Sequence, residues 1–198
     1  KRYHMNIVII KYNAGNVYSV SSALNRIGYE PVLSSDPDEI RTADKVIFPG
    51  VGEASSAMKF LINNGLHKLI PELKQPFLGV CLGLQLLCQH SEENDTECLG
   101  IFEEEVKLFP PKKKVPHMGW NSIACNDSLL FKDLNQNPYV YFVHSYYAEL
   151  SEHTISETDY IIPFSSGLQK ENFYALQFHP EKSGKIGEQI LKNFIELI

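Results

Sequence analysis

The segment Gly79-Val80-Cys81-Leu82-Gly83 limits what this chain can fold into more than any other. It interrupts an apolar run that opens at Pro76-Phe77-Leu78 and resumes with helical spacing from Leu84. A strand that ends in Gly-x-Cys-x-Gly and passes straight into a helix is a nucleophile elbow. The chain turns sharply there and leaves one reactive side chain at the head of the helix. Gly79 and Gly83 fit because a Cβ at either would collide where strand and helix cross closely. The positive end of the helix dipole and its unpaired N–H groups favour the nucleophilic thiolate over the thiol. An isolated cysteine is as readily a small buried hydrophobe, so the elbow reading requires a base elsewhere in the chain.

The chain has seven histidines, His4, His67, His90, His117, His144, His153 and His179. Only His179 combines an apolar lead-in with an acid just downstream, in Tyr174-Ala175-Leu176-Gln177-Phe178-His179-Pro180-Glu181. The lead-in reads as a strand, and Pro180 ends it because proline cannot extend a ladder. His179 is therefore expected at a strand tip, where the loops of an α/β sheet gather their chemistry. Glu181, two residues on across a rigid proline, is placed to accept the imidazole N–H, fix the tautomer and stabilise the imidazolium. Taken singly, His179 also fits a surface or capping role. Together with the elbow, a Cys81–His179–Glu181 triad is the better reading.

The elbow and Phe178-His179-Pro180-Glu181 resemble the class I, triad-type glutamine amidotransferases. Three further segments are Pro49-Gly50-Val51-Gly52, Pro116-His117-Met118-Gly119-Trp120-Asn121 and Tyr141-Phe142-Val143-His144-Ser145-Tyr146-Tyr147. With these, the chain from about Asn6 onward is similar to one branch, the glutaminase subunits of imidazole glycerol phosphate synthases of histidine biosynthesis. The resemblance implies a three-layer, flavodoxin-like α/β fold, with a mostly parallel central sheet and antiparallel additions. It implies hydrolysis of L-glutamine to glutamate and ammonia through a γ-glutamyl thioester on Cys81. The ammonia would pass to a (β/α)₈ cyclase subunit that forms imidazole glycerol phosphate and AICAR, the two chains making a heterodimer. No cofactor and no metal is implied.

Site residues follow from the same resemblance. The oxyanion would take the N–H of Leu82, the residue after the nucleophile, and a second donor from the Gly50, Val51, Gly52 loop. Without the resemblance that loop is an ordinary strand-to-helix turn. Gln85, Glu93, His144, Ser145 and Tyr146 would hold the glutamine α-substituents. By itself Gln85 fits an exposed helix face and His144 a structural strand end. Asn13, Asn16, Trp120, Asn121, Tyr141 and Lys182 match positions that dock the cyclase, although a lone Trp also suits a core. The opening Tyr12-Asn13-Ala14-Gly15-Asn16 departs from the family's Asp-Tyr-Gly-x-Gly-Asn, with Lys11 for Asp and Asn13 for Gly. Two other readings stay open. One is a paralogous amidotransferase subunit serving another synthase, such as one aminating a surface sugar. The other is a redox or hydrolase domain of the same architecture without amidotransferase activity.

Composition excludes other classes. A net charge of −6 argues against a nucleic-acid binder, which is normally basic. Lys112-Lys113-Lys114 reads as a solvated loop. Cys81, Cys88, Cys98 and Cys125 form no Cys-x-x-Cys pair and have no His at zinc-finger spacing. Free thiols imply a reducing compartment, here the cytoplasm. No signal peptide and no membrane-crossing run is read. Lys1–His4 before Met5 read as a cloning remnant, with residues 5–198 as one amidotransferase domain.

Along the chain, strands are expected at Asn6–Ile10, Pro31–Ser34, Lys45–Phe48 and Phe77–Val80. Helices are expected at Asn16–Ile27, Asp36–Ala43 and Glu53–Asn63, with an elbow helix burying Leu84, Leu87 and Cys88. Strands alternating with helices imply a parallel sheet covered on both faces. Beyond Leu99 the β-rich runs Gly100–Leu108, Asn121–Ala124, Val140–Leu150, Tyr160–Phe164 and Phe173–Phe178 suggest antiparallel additions to one side. An amphipathic helix over Ser183–Leu197 closes the chain.

Overall fold

The apolar runs Ile7–Ile10, Lys45–Gly50 and Phe77–Cys81 are buried at every residue, as parallel strands covered on both faces must be. They form the centre of the fold in a computed structural model that describes residues 5–12 and 14–198. Lys1–His4 and Asn13 lie outside the described residues, and with them the expected cloning remnant and one expected docking residue. The first half of the chain comprises β1 (Ile7–Ile10), α1 (Ala14–Arg26), β2 (Val32–Ser34), α2 (Pro37–Thr42) and β3 (Lys45–Gly50). Helices α3 (Ala54–Asn63) and α4 (Leu66–Leu69) follow, then β4 (Phe77–Cys81) and α5 (Leu82–Leu87). The second half is strand-rich: β5 (His90–Ser91), β6 (Thr96–Glu97), β7 (Glu105–Leu108), β8 (His117–Ser122), β9 (Ala124–Cys125) and β10 (Tyr139–His144). It ends in β11 (Tyr146–Ala148), β12 (Thr154–Tyr160), β13 (Ile162–Lys170), β14 (Phe173–Leu176) and α6 (Gly184–Glu196).

The main sheet runs β2-β1-β3-β4-β14-β13-β11-β7-β5-β6, and β12 with β9 hang from β13. From β2 to β14 every pairing is parallel, and β13, β11 and β7 extend the sheet in antiparallel fashion. Successive strand residues point to opposite faces, and the core divides accordingly. Ile7, Ile9, Ile47, Leu78, Val80 and Leu176 pack with Val20, Leu24, Leu191 and Phe194 of α1 and α6. Val8, Ile10, Val46, Phe48, Phe77 and Ala175 pack with Ile40, Ala57, Leu61, Leu66 and Leu84, contributed by α2 to α5. This is the three-layer α/β fold expected.

The second half corrects several boundaries. Val140–Leu150 is two strands broken at Ser145, and the first half, β10, pairs with β8 in a separate two-stranded ribbon. The strand expected over Asn121–Ala124 is instead the end of β8, which starts at His117, and the start of β9, with a break at Ile123 where the chain passes from pairing with β10 to pairing with β12. Gly100–Leu108 is a strand only from Glu105. Strand β12, Thr154-Ile-Ser-Glu-Thr-Asp-Tyr160, carries too little apolar alternation to be read in advance. It is held by hydroxyl pairs to β13, Thr154 Oγ1 to Ser165 Oγ at 2.7 Å and Ser156 Oγ to Ser166 Oγ at 3.0 Å. The elbow helix has no exposed face at all, since every residue of α5 is buried.

Candidate active site

Strand β4 runs to Cys81, and α5 starts at the next residue. The turn puts Cys81 at φ 56° and ψ −107°, a left-handed position unusual for a residue with a Cβ. Such a conformation costs ~1–3 kcal/mol and persists only where neighbours enforce it. The neighbours here are two glycines. A Cβ on Gly83 would lie 2.1 Å from the Phe48 carbonyl oxygen, and one on Gly79 would lie 2.8 Å from the Gly83 carbonyl. Close strand–helix packing therefore fixes the turn, as the glycine spacing predicts. Cys81 is 6% exposed at the floor of a pocket of about 280 Å³.

The candidate base and its acid come from the neighbouring strand end. β14 lies parallel to β4 with Leu176 opposite Val80, so the chain beyond β14 emerges beside Cys81. There His179 Nδ1 meets Glu181 Oε1 at 2.7 Å, with both side chains fully buried. The carboxylate can only accept, so Nδ1 carries the proton. That leaves Nε2, buried and without a hydrogen-bond partner among the described residues. Burial opposes charge on this ring. The Cys81 and Glu181 charges outweigh it and raise His179 to about 10. A charged imidazolium beside Cys81 is the state this arrangement favours. A turn of 3-10 helix, Pro180–Lys182, sets the spacing, and α6 packs on it closely enough that a Cβ on Gly187 would lie 1.8 Å from the Pro180 oxygen.

The pocket gathers most of the other expected residues. Its walls are Val51, Gly52, Leu82, Gln85, Glu93, Val143, His144, Ser145 and Tyr146, around Cys81. Gly50 is aligned with Cys81 in the β3–β4 register and abuts Leu82. Gly52 has φ +112°, which places a glycine-only conformation in the loop beside the nucleophile. Gln85 is already engaged: its Nε2 donates to the Tyr146 carbonyl at 3.2 Å and to Gln177 Oε1 at 3.1 Å. Glu93 caps α3 by accepting the Ala54 N–H at 2.9 Å, so one of its carboxylate oxygens is committed to structure.

The expected docking residues are elsewhere. Trp120 is 56% exposed on β8 and stands edge-on to Tyr141 of β10, ring centroids 6.0 Å apart. Lys182 is exposed and pairs with no carboxylate among the described residues. Asn121 is half-buried, its amide donating to the His117 ring and to the Asp159 carbonyl. Asn16 is 5% exposed, which leaves little of it for a partner to touch. Sequence reasoning missed Gln177, whose Nε2 donates to Cys81 Sγ at 3.6 Å. A polar residue inside the apolar run Ala175-Leu176-Gln177-Phe178 was the available signal.

A family model described as glutamine amidotransferase class-I matches residues 8–197. The chain belongs to the class-I glutamine amidotransferases. This amidotransferase is 58% identical over 196 residues to imidazole glycerol phosphate synthase subunit HisH of Bacteroides fragilis (strain YCH46), covering 98% of its own length and 100% of the relative's. The same subunit of Escherichia coli (strain K12) is 45% identical over 196 residues, with 98% and 100% covered. Among solved structures, a glutamine amidotransferase superposes with a TM-score of 0.76 at 18% identity, covering 96% of this chain and 97% of that one. Another glutamine amidotransferase, from Thermotoga maritima, gives 0.68 at 17%, with 99% and 83% covered. At such identities the likeness is one of fold. The amidotransferase is a glutamine-hydrolysing enzyme, and its candidate nucleophile, base and pocket stand together at the carboxyl ends of β4 and β14.

Proposed function

We propose that this amidotransferase is the glutaminase subunit of an imidazole glycerol phosphate synthase, releasing ammonia for a (β/α)₈ cyclase subunit. The observation that carries the chemistry is the buried His179–Glu181 contact, which leaves His179 Nε2 free beside an elbow cysteine. Near-identity in length and 58% identity to a HisH subunit support the choice of synthase.

The Cys81 thiolate attacks the side-chain amide carbon of glutamine, and the carbonyl π-electrons move to oxygen. Leu82 N–H and a donor from the Gly50–Val51–Gly52 loop stabilise that oxyanion; one such donor contributes ~3 kcal/mol in the transition state. As the intermediate collapses, the C–N bond breaks and His179 Nε2–H protonates the leaving nitrogen, giving ammonia and a γ-glutamyl thioester. Neutral His179 then takes a proton from water, which attacks the thioester to give glutamate and restore the thiolate–imidazolium pair. Glu181 holds the ring tautomer throughout and stabilises its charged form. The Gln177 hydrogen bond to sulfur stabilises the thiolate between cycles. The α-carboxylate and α-amino group of glutamine fall to the Gln85, Glu93 and His144–Tyr146 walls of the pocket. The thiol chemistry suits a reducing compartment, the cytoplasm.

The test is a pull-down from native extract with the tagged chain, followed by reconstitution. A (β/α)₈ cyclase should be captured and should make imidazole glycerol phosphate from glutamine only when this chain is added. Capture of a different synthase, with no gain of glutamine-dependent cyclase turnover, would overturn the assignment.

A further inference from the structure

His117 belongs to the His-Met-Gly-Trp-Asn segment, yet no step above uses it. It is 4% exposed, on the ribbon strand β8, directly opposite His144 in the β8–β10 register. The two rings touch through nitrogen, His117 Nδ1 to His144 Nε2 at 2.9 Å. Neither nitrogen's role is free, because backbone groups fix the polarity at both ends. His144 Nδ1 lies 2.7 Å from the Tyr146 carbonyl, an acceptor only, so Nδ1 must carry the proton. Burial lowers His144 to about 3 and His117 to about 4, so both rings are neutral at physiological pH. A neutral His144 protonated at Nδ1 has a bare Nε2, and His117 Nδ1–H must therefore be the donor.

The other end agrees independently. Asn121 Oδ1 accepts the Ser122 N–H at 2.8 Å, which orients the amide. Its Nδ2 then donates to the Asp159 carbonyl at 3.1 Å and to His117 Nε2 at 3.3 Å. The result is a one-way chain from Asn121 through His117 and His144 to the Tyr146 carbonyl. Gln85 Nε2 donates to the same carbonyl, and the Phe109 N–H holds the Ser145 carbonyl at 3.0 Å. Both carbonyls of the pocket wall are tied back into the protein. In a trans peptide the N–H points opposite the preceding carbonyl, so the Tyr146 N–H faces away from β7, on the side where Gln85 and His144 occupy the Tyr146 carbonyl. An N–H beside a carbonyl already taken up suits an anionic group.

We propose that His117 is a positioning residue for glutamine binding: by donating to His144 Nε2 it holds the His144 ring on the Tyr146 carbonyl, keeping that carbonyl occupied and the Tyr146 N–H turned to the pocket. This rests on the glutaminase reading of the pocket. His117 touches neither the nucleophile nor the base, so its effect belongs to substrate binding rather than to bond breaking.

Packing supplies the rival explanation and also the means to separate the two. The His117 ring is stacked between Tyr160, centroids 4.0 Å apart, and Phe142, 4.7 Å apart. His117→Phe keeps an aromatic ring in that stack and removes the donor. His117→Asn loses the stack and retains an N–H close to the Nδ1 position. We would measure glutamine KM and kcat for each variant in the chain–cyclase complex. We would also record the His144 imidazole ¹⁵N shifts of the chain alone, which report its tautomer without turnover. Wild type should show His144 protonated at Nδ1 alone. His117→Phe leaves His144 Nε2 buried without a donor, which should release the ring from the Tyr146 carbonyl, give a tautomer mixture and raise KM by ~10-fold, the scale of one neutral hydrogen bond, with kcat within ~3-fold. His117→Asn should restore the single tautomer and a KM within ~3-fold of wild type. A single Nδ1–H tautomer in His117→Phe would overturn the proposal, as would an unchanged KM there or a larger KM rise in His117→Asn. Because the ¹⁵N signal needs no catalysis, a wild-type complex that failed to hydrolyse glutamine would count against the glutaminase reading and leave the tautomer lock to be judged by its own readout.

Discussion

At the scale of single residues, charge and strain converge on Cys81. Its left-handed backbone is enforced from outside, and its sulfur faces a histidine raised to about 10 by the Cys81 and Glu181 charges against the opposing effect of burial. Cys81→Ala should lower glutamine-dependent turnover of the assembled enzyme by ~10⁴-fold or more, while turnover supplied with ammonia survives because only the glutaminase half uses the thiolate. Glutamine-dependent activity retained in that variant would remove Cys81 from the mechanism. The same variant should change His179. With the thiolate gone and burial unchanged, the ring should titrate at lower pH than in wild type, which ¹⁵N NMR would follow. Since the folded value lies above the unfolded one, the imidazolium's contribution to stability is complete below pH ~6.5 and is lost as pH rises towards about 10. In Cys81→Ala that loss should shift to lower pH. Glu181→Gln keeps the shape of the contact with His179 Nδ1 but removes its charge, and should slow glutamine hydrolysis by ~10²-fold or more. Wild-type rates in Glu181→Gln would end the orienting role of the acid and leave His179 as base.

At the scale of elements, the elbow works because strand and helix are closer than side chains allow. Gly83→Ala would place a Cβ against the Phe48 backbone oxygen, which cannot swing aside as a side chain can. It should destabilise the fold by ~3 kcal/mol, the upper end for overpacking, measured as a fall in the denaturant midpoint at constant slope. Wild-type stability in Gly83→Ala would mean that β3 and α5 are not held at this separation. Such elements are the legible ones. In the β-α-β half, β1, β3 and β4 announce themselves because they are buried on both faces; the edge strand β2 is exposed at Val32, and the four-residue α4 carries no run long enough to be expected. Cys81, His179 and Glu181 were legible for a related reason: each sits at a strand end marked by glycine or proline. The ribbon β8–β10 and strand β12 were not. One has only a single apolar face, and the other is held by hydroxyl pairs and β13 rather than by an alternating pattern. His117, Gln177 and the Tyr146 carbonyl escaped for a further reason. Their roles lie in pairings between residues far apart in the chain, which no spacing encodes.

At the scale of the whole molecule, the ribbon joins surface to site. Its outward residues Met118, Trp120 and Tyr139 are 58%, 56% and 61% exposed. Its inner end is His144 in the pocket wall, and the Tyr141 carbonyl accepts the His179 N–H at 2.9 Å. Ser183 Oγ ties the turn that carries Lys182 to the same strand, accepting the Tyr141 N–H at 3.0 Å. A partner seated on Trp120, Tyr141 and Lys182 would therefore press on the strand that positions both the candidate base and the pocket wall. Across the pocket the Val51–Gly52 loop, with Gly52 at φ +112°, has a backbone that can present its N–H groups in more than one orientation. Free hydrolysis would waste glutamine, so an idle resting state has an evident use. The isolated chain should hydrolyse glutamine slowly, and cyclase with its nucleotide ligand should raise the rate by orders of magnitude. A partner shifts such a loop only by binding its two orientations unequally. Moving the active fraction from about 1% to about 99% requires about 5.5 kcal/mol of differential binding, within what a protein interface provides. Steady-state glutaminase assays of the chain alone, with cyclase, and with cyclase plus ligand decide the matter. Equal turnover in all three would show a constitutive glutaminase, and the ribbon would then be a docking surface with no hold on the chemistry.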